Sequence, residues 1–201
     1  MQSSLFIFLG NITTRTWLAE SGWLPFNAPV HKLLILTGAS GAGKTAIVKS
    51  LRQPAAAAGI EIFNFDSIGV PSPEEMIRDF GSGENWQRMK IVEWIQRIAR
   101  ALPEHSIIFE GQMRISSLLE ALMQANLPEA KIVLIDCSDS ARAHRLNVLR
   151  QQPGLNNERM RTWARYLRRE ALREGIQVVD TSNLTVEEAA GLVLKIGDLI
   201  I

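Results

Sequence analysis

The sequence predicts an α/β domain with helices on both faces of a parallel sheet, and three observations carry that expectation. From Lys32 onward, short apolar runs alternate with longer stretches of helical period, the pattern of repeated strand-helix-strand units. The first of these runs leads directly into Gly38-Ala39-Ser40-Gly41-Ala42-Gly43-Lys44-Thr45, a glycine-rich turn that opens a helix. A chain of 201 residues buries a sizeable core and suits one such domain rather than two.

Residues 1–30 stand apart. Trp17, Trp23, Pro25, Phe26 and Pro29 follow neither the helical period of about 3.6 nor the strand period of about 2, so the stretch reads as an N-terminal extension to a domain spanning 31–201. Translation from a start upstream of the functional one is the alternative. Residues 33–37 then read as the first buried strand and 43–51 as the helix after it, with Pro54 as its stop. Residues 60–65 are the second strand. Helices follow over 73–79 and 84–102, the longer placing Trp86, Met89, Ile91, Val92, Trp94, Ile95 and Ile98 largely on one core-facing side. Residues 106–109 are the third strand, 115–124 a helix, 131–135 the fourth strand and 176–179 the fifth, each strand short and bounded by turn or capping residues. An arginine-rich helical hairpin separates the last two strands. A final helix over 186–194 begins after Thr185 and Glu188, which have the spacing of a capping box.

The apolar fraction of 46% and charged fraction of 21% are those of an ordinary globular protein, and a net charge of +1 singles out no partner. No apolar run approaches the roughly 20 residues that cross a bilayer. The run 5–9 is too short for a secretory signal and lacks a basic flank before it. Cys137, the one cysteine, can form no internal disulfide, which suits a reducing compartment, and reads as a small buried hydrophobe after a strand. His31, His105 and His144 lack metal-ligand spacing and read as structural or surface residues. A cytoplasmic protein without a membrane segment is the expectation, with the oligomeric state left open.

Residues 38–45 satisfy G-x-x-x-x-G-K-T between a strand and a helix, the context that gives this motif its mechanics. Gly38, Gly41 and Gly43 allow the loop's N–H groups, those of Ala39, Ser40 and Ala42 among them, to turn toward phosphate oxygens. The helix N-terminus adds roughly half a positive charge. Lys44 would bridge the outer phosphates, and Thr45 would offer its hydroxyl to Mg²⁺, which takes hard oxygen ligands. The expected ligand is ATP with Mg²⁺.

In open α/β sheets the ligand lies outside the carboxyl ends of the strands, so acidic residues there carry weight. Asp66 follows the second strand, placed to take a proton from an acceptor hydroxyl or to hold a metal-bound water; a turn or capping role before Gly69 is the alternative. Glu110 ends the third strand, where a carboxylate can hold the water shell of magnesium or bond to the turn at Gly111. Asp136 ends the fourth strand, but Cys137-Ser138-Asp139-Ser140 follows it and looks like the cap of the next helix, so Asp136 reads as structural.

Over about residues 32–195 these features resemble the P-loop kinases of small molecules and nucleotides, the group of adenylate, shikimate, gluconate and chloramphenicol kinases. Glu110-Gly111-Gln112-Met113-Arg114 is similar to the Asp-Gly-x-Pro-Arg segment of nucleoside monophosphate kinases, whose arginine contacts the acceptor's phosphate; here Glu replaces Asp and Met replaces Pro. Phe65-Asp66-Ser67 resembles the strand-two aspartate of hydroxyl-phosphorylating members, the general base or the orienter of the acceptor. The helix over 139–150 resembles the one leading into the lid. The likeness implies that Arg145 and Arg150 take the places of lid arginines, one stacking on adenine and others gripping the transferring phosphoryl. Asp180-Thr181-Ser182 resembles the loop that lines the adenine pocket. The implied fold is the three-layer P-loop type, a five-stranded parallel sheet in the order 2-3-1-4-5. An acceptor-binding segment at about 67–102 and a lid at about 145–173 complete it, with Arg78, Gln112 and Arg114 on the acceptor side.

Arg159, Arg161, Arg165, Arg168, Arg169 and Arg173, added to Arg142, Arg145 and Arg150, make the hairpin the most basic part of a balanced chain. An arginine delivered by a closing lid stabilises charge developing on a phosphoryl group. A solvated helix face is the alternative for any one of them, because Trp163, Tyr166, Leu167 and Ala171 supply a buried side. Residues 151–157 are the expected mobile stretch. The balanced net charge argues against a nucleic-acid partner. Arg78 would hold an anionic substrate or pair with Glu74 or Glu75. The expected function is ATP- and Mg-dependent transfer of the γ-phosphoryl group to a hydroxyl of a small-molecule acceptor. A nucleoside monophosphate kinase is the alternative, should Arg78 and Arg114 together grip an acceptor phosphate, and a nucleotide-binding module without transfer is a further one. Asp66-Ser67-Ile68-Gly69 also fits the D-x-x-G of GTPases, but too soon after the loop, and no Asn-Lys-x-Asp accompanies it.

Overall fold

Leucine, isoleucine and valine runs with no polar interruption make strands that can be covered on both faces, and the sheet is built from them. In the computed structural model, which describes residues 31–201, the strands are β1 (Leu33–Thr37), β2 (Ile60–Asn64), β3 (Ser106–Gly111), β4 (Lys131–Asp136) and β5 (Gln177–Asp180). All pair in parallel in the order β2-β3-β1-β4-β5, the order implied by the family resemblance. The N-terminal extension expected over 1–30 lies outside the described residues.

Alternate strand residues face opposite layers. Leu34, Leu36, Ile108, Val133 and Ile135 pack against Ile47, Val48 and Leu51 of α1 (Lys44–Ala57) and Ala190 and Val193 of α7 (Val186–Ile196). On the other face, Leu33, Ile35, Ile107 and Phe109 meet Trp94, Ile95 and Ile98 of α3 (Gly83–Ala101) and Leu118 and Leu122 of α4 (Ile115–Gln124). Leu134 is covered by Leu167 and Ala171 of α6 (Glu158–Arg173). Each such aliphatic side chain, taken fully out of water, contributes about 1.5–3 kcal/mol. The remaining helices, α2 (Pro73–Phe80) and α5 (Asp139–His144), meet the core at its edge through Met76 and Phe80 and through Ala141; α5 runs on into a π-helical turn, Arg145–Leu149.

Register decides which residues meet at the sheet's C-terminal edge. Leu36 pairs with Glu110 and Asn64 with Glu110 as well, so Glu110 sits between the exits of β1 and β2. Asp136 pairs with Asp180 on the opposite side of β1.

Three local features depart from the sequence reading. Helix α1 does not stop near Pro54 but passes through it to Ala57: the proline forgoes one helical hydrogen bond, and the alanines around it, with Ala55 fully buried, carry the helix on. Met89 leaves the core stripe of α3 and is half exposed. The strand read over 60–65 ends at Asn64, where a 3-10 turn (Phe65–Ile68) begins. The capping box at Thr185 and Glu188 is present, both reciprocal bonds being made (2.8 and 3.1 Å). Among the described residues no helix is long and apolar enough to cross a membrane.

Candidate active site

The loop between β1 and α1 needs glycine for two separate reasons. A Cβ at Gly38, where φ is +154°, would lie 2.2 Å from the carbonyl oxygen of Ile135 in β4, so the backbone itself fills the space. Gly43 is the N-cap of α1 in a left-handed conformation (φ 109°) and offers no side-chain cap, which leaves the first amides of the helix uncapped by any side chain. Uncapped amides at a helix start are an anion site. Ala39, Gly41 and Ala42 are buried, Ser40 is half-buried, and Thr45 is exposed on the first turn.

Lys44 folds back over this loop. Its Nζ donates to the carbonyls of Gly38 (2.7 Å) and Ala39 (3.2 Å), and the side chain is buried. Burial lowers its pKa from 10.5 to about 8; the carboxylates of Glu110 and Asp66 act to raise it, while Arg142 and Arg150 act to lower it. Residues from four separate elements therefore share one electrostatic environment around the lysine.

Glu110 is 3% exposed, and Asn64 Nδ2 donates to its Oε1. Burial raises its pKa, as does Asp66, against the pull of Lys44 and Asn64. Asp66 is exposed on the 3-10 turn, its N–H donating to Asn64 Oδ1 at 2.8 Å. Asn64 thus orients both carboxylate-bearing segments, and the sequence reading missed it. The signal was there, since an Asx residue at a strand end bonds the backbone two residues on. Trp94 Nε1 donates to Phe65 O (3.3 Å), which anchors the same turn to α3.

On the acceptor side, Gln112 Nε2 donates to Ser40 Oγ (3.2 Å) and Gln112 O accepts from Gln87 Nε2 (2.9 Å), while Gln87 Oε1 accepts from the N–H of Arg114 (3.1 Å). Gln87 of α3, also missed, straps the segment after β3. Arg114 pairs with Glu84 (3.2 Å) and lies over the stacked rings of Trp163 and Tyr166, 5.2 and 4.9 Å from their centroids. Arg78 is exposed and pairs with its neighbour Asp79, not with Glu74 or Glu75. Among the described residues Arg78 and Arg114 share no hydrogen-bond or ion-pair partner.

The far flank of the loop is held by Arg145 and Thr181. Arg145 donates to Thr181 O (2.6 Å), Thr181 Oγ1 (2.8 Å) and the carbonyls of Ala42 (3.3 Å) and Gly41 (3.4 Å). The buried Thr181 hydroxyl lies 2.7 Å from Ala42 O and 3.0 Å from Asp136 O. Asp180 accepts from Ser182 N and Oγ, which hold its carboxyl below the usual range, so these two side chains close on one another. Arg150 is exposed after the π-helical turn. Within the stretch expected as a lid, residues 158–173 form α6, whose Ala164, Leu167 and Ala171 are buried, and 150–157 are largely exposed. Three arginines of α6 are ion-paired along the helix, Arg161 and Arg165 with Glu158 and Arg173 with Glu170 and Glu174.

Asp136 has the structural place read for it, and the cap after β4 falls within the four residues that follow: Ser138 Oγ accepts from Ala141 N at 3.2 Å. The Asp136 carboxylate is buried, Oδ1 accepting from Cys137 N (2.8 Å) and Arg142 and Oδ2 from Arg168. Arg142, 1% exposed, lies behind the loop and not in a lid.

The sequence matches no protein-family model and no curated protein. In fold it is similar to a gluconokinase from Sinorhizobium meliloti 1021, with a TM-score of 0.56, 16% identity, and 84% of this chain and 95% of that one covered. A shikimate kinase from Bacteroides thetaiotaomicron gives 0.55 at 13% identity over 84% and 99% of the two chains. A thymidylate kinase from Candida albicans gives 0.57 at 10% identity over 83% and 90%. At such identities the likeness is one of fold.

Proposed function

We propose that this chain, which has the fold of the P-loop kinases, transfers the γ-phosphoryl group of ATP to a hydroxyl of a small molecule. The observation that carries the reading is the convergence on Lys44. Asp66 from the exit of β2, Glu110 from the exit of β3 and Arg150 from beyond α5 all lie close enough to influence its ammonium. A glycine loop alone argues for an anion; a loop flanked by two carboxylates and a second cation argues for chemistry on that anion.

Uncapped amides at Gly43 and beyond would receive the phosphates, with Lys44 exchanging two loop carbonyls for phosphate oxygens. Asp66, exposed on a turn anchored by Asn64 and Trp94, is the group to accept or orient the acceptor's hydroxyl proton. Charge developing on the moving phosphoryl would be met by Lys44 and Arg150. Arg145, with Asp180, Thr181 and Ser182, is the proposed base-binding flank. The oxygen donors suit Mg²⁺: Thr45 has an exposed hydroxyl, and Asn64 bonds only Oε1 of Glu110, whose other oxygen receives no hydrogen bond among the described residues. Thr45, and Glu110 through water, would hold the ion, which when bound neutralises phosphate charge.

A hydroxyl acceptor is favoured over a phosphate because Arg114 is engaged by Glu84, Trp163 and Tyr166, and Arg78 by Asp79. The fold likeness to a gluconokinase and a shikimate kinase supports a small-molecule acceptor, and the buried lone cysteine is compatible with action in the cytoplasm. Measuring ATP consumption across sugars, nucleosides, nucleoside monophosphates and hydroxylated antibiotics tests the proposal, with turnover expected from a hydroxyl compound. Turnover confined to monophosphates would transfer the assignment to a nucleoside monophosphate kinase. ATP binding with no turnover from any class would leave a nucleotide-binding module.

A further inference from the structure

Behind the phosphate loop runs a chain of charges that no direct contact with a nucleotide requires. The guanidinium of Arg142 is buried; its Nη1 donates to Ser40 O in the loop (3.1 Å), and its Nη2 to Asp136 Oδ1 (3.0 Å) and Cys137 O (3.2 Å). Its Nε has no hydrogen-bond acceptor, the carboxylate of Asp139 standing 4.0 Å away. A buried guanidinium so incompletely satisfied depends on Asp136 for its place. The second oxygen of Asp136 is taken by Arg168 of α6, through Nε at 2.6 Å and Nη2 at 2.5 Å. One buried carboxylate is thus shared between a buried arginine that touches the loop and an arginine whose side chain is 54% exposed.

We infer that Arg168 is a positioning residue for the phosphate loop, acting through Asp136 and Arg142 on the carbonyl of Ser40. The inference rests on the loop being the nucleotide site proposed above. Arg168 holds Oδ2 while Cys137 N–H (2.8 Å) and Arg142 hold Oδ1, so the carboxylate is pinned at both oxygens, and its orientation sets where Arg142 can reach. Without Arg168, the carboxylate turns wholly to Arg142 and draws it from Ser40 O. Ser40 is also the residue whose hydroxyl meets Gln112, so a shift there reaches both the phosphate amides and the acceptor side. The local sequence Ser40-Gly41, with Gly41 in a positive-φ conformation, offers little stiffness of its own to resist such a shift.

The test measures ATP affinity by calorimetry in the full chain, with each variant's unfolding temperature recorded alongside. Arg168→Gln, at a half-exposed position, keeps the fold and lowers ATP affinity about three- to tenfold, the size of coupling between groups in one network. Arg168→Lys recovers only part of that loss, since an ammonium lacks the fork. Arg169→Gln, the exposed neighbour on the same helix, leaves affinity unchanged. Asp136→Asn lowers affinity too, and adding Arg168→Gln to it causes no further loss. Wild-type affinity in Arg168→Gln, an equal loss in Arg169→Gln, or additive losses in the double variant would each overturn the inference, the last because it would make Arg168 a direct ligand. A wild-type chain that binds no ATP overturns the nucleotide reading, and this inference with it.

Discussion

Lys44 Nζ lies 2.7 Å from the carbonyl oxygen of Gly38, so the ammonium at the start of α1 is bonded to the first residue of its own loop. A phosphate must compete with that carbonyl and with Ala39 O for the same donor. The competition favours phosphate because the ammonium then meets a full opposite charge rather than the partial charge of a carbonyl dipole.

Removing the ammonium therefore removes the anion's main counter-charge while leaving the loop's amides in place. Lys44→Ala is expected to weaken ATP binding by at least about 100-fold, or about 2.8 kcal/mol. Titration calorimetry reads this directly, and circular dichroism should show an unchanged fold. Wild-type affinity in the variant would remove Lys44 from the site.

Because burial holds the Lys44 pKa at about 8, pH separates binding from stability. The charged fraction falls from about nine-tenths at pH 7 to about one-tenth at pH 9, so ATP affinity should drop by up to about tenfold over that range. Lys44→Arg, which stays charged, should flatten the profile. Stability carries the opposite slope. Between about 8 and the ordinary value of 10.5 the unfolded chain binds the proton and the folded chain does not, so this group's contribution to stability rises with pH. A flat affinity profile in the wild type would mean that the ammonium is not what the nucleotide meets.

Asp66 offers a different signature, since it is exposed and lies on a turn rather than in the loop. Asp66→Asn should reduce turnover by about 10²–10⁴-fold, the usual contribution of a positioned acid or base, with ATP affinity within about twofold of wild type. The Asn64 bond to the backbone of residue 66 survives the substitution, so a loss of turnover reports the carboxylate itself. Equal turnover in the two proteins would take Asp66 out of the proposed mechanism.

What could be read from the sequence divides by the range over which each feature is determined. Parallel strands covered on both faces write themselves as uninterrupted apolar runs, and the glycine loop is legible because its mechanics are local to residues 38–45. Pro54 reads as the stop of α1 because proline breaks helices locally, whereas the burial of Ala55 overrides that preference. The cap after β4 is legible in the same local way and belongs to Ser138, but the ion pairs that bury Asp136 are not, because its exposed partner lies 32 residues away on α6. The grip of Arg145 on Thr181 likewise spans 36 residues. Such pairings are products of the sheet order and leave no mark on the residues adjacent in sequence.

Gly38 allows the packing of the loop itself to be tested without any ligand. An alanine there combines a backbone at φ +154° with a Cβ placed 2.2 Å from Ile135 O, and Ile135 is itself fully buried in a strand paired on both sides. Neither partner can yield, because moving β4 would disturb its pairing with β1 and β5. Overpacking and backbone strain together cost about 3 kcal/mol or more. For a domain of this size, that corresponds to a fall in melting temperature of roughly 6–12 °C. Gly154→Ala is the matched control, since a Cβ there meets nothing within 4 Å, and its effect should stay within about 0.5 kcal/mol. Calorimetric melting of both variants decides the matter. If Gly38→Ala melts with the wild type, the loop does not press on β4, and the glycine at that position owes its presence to something other than the close approach described here.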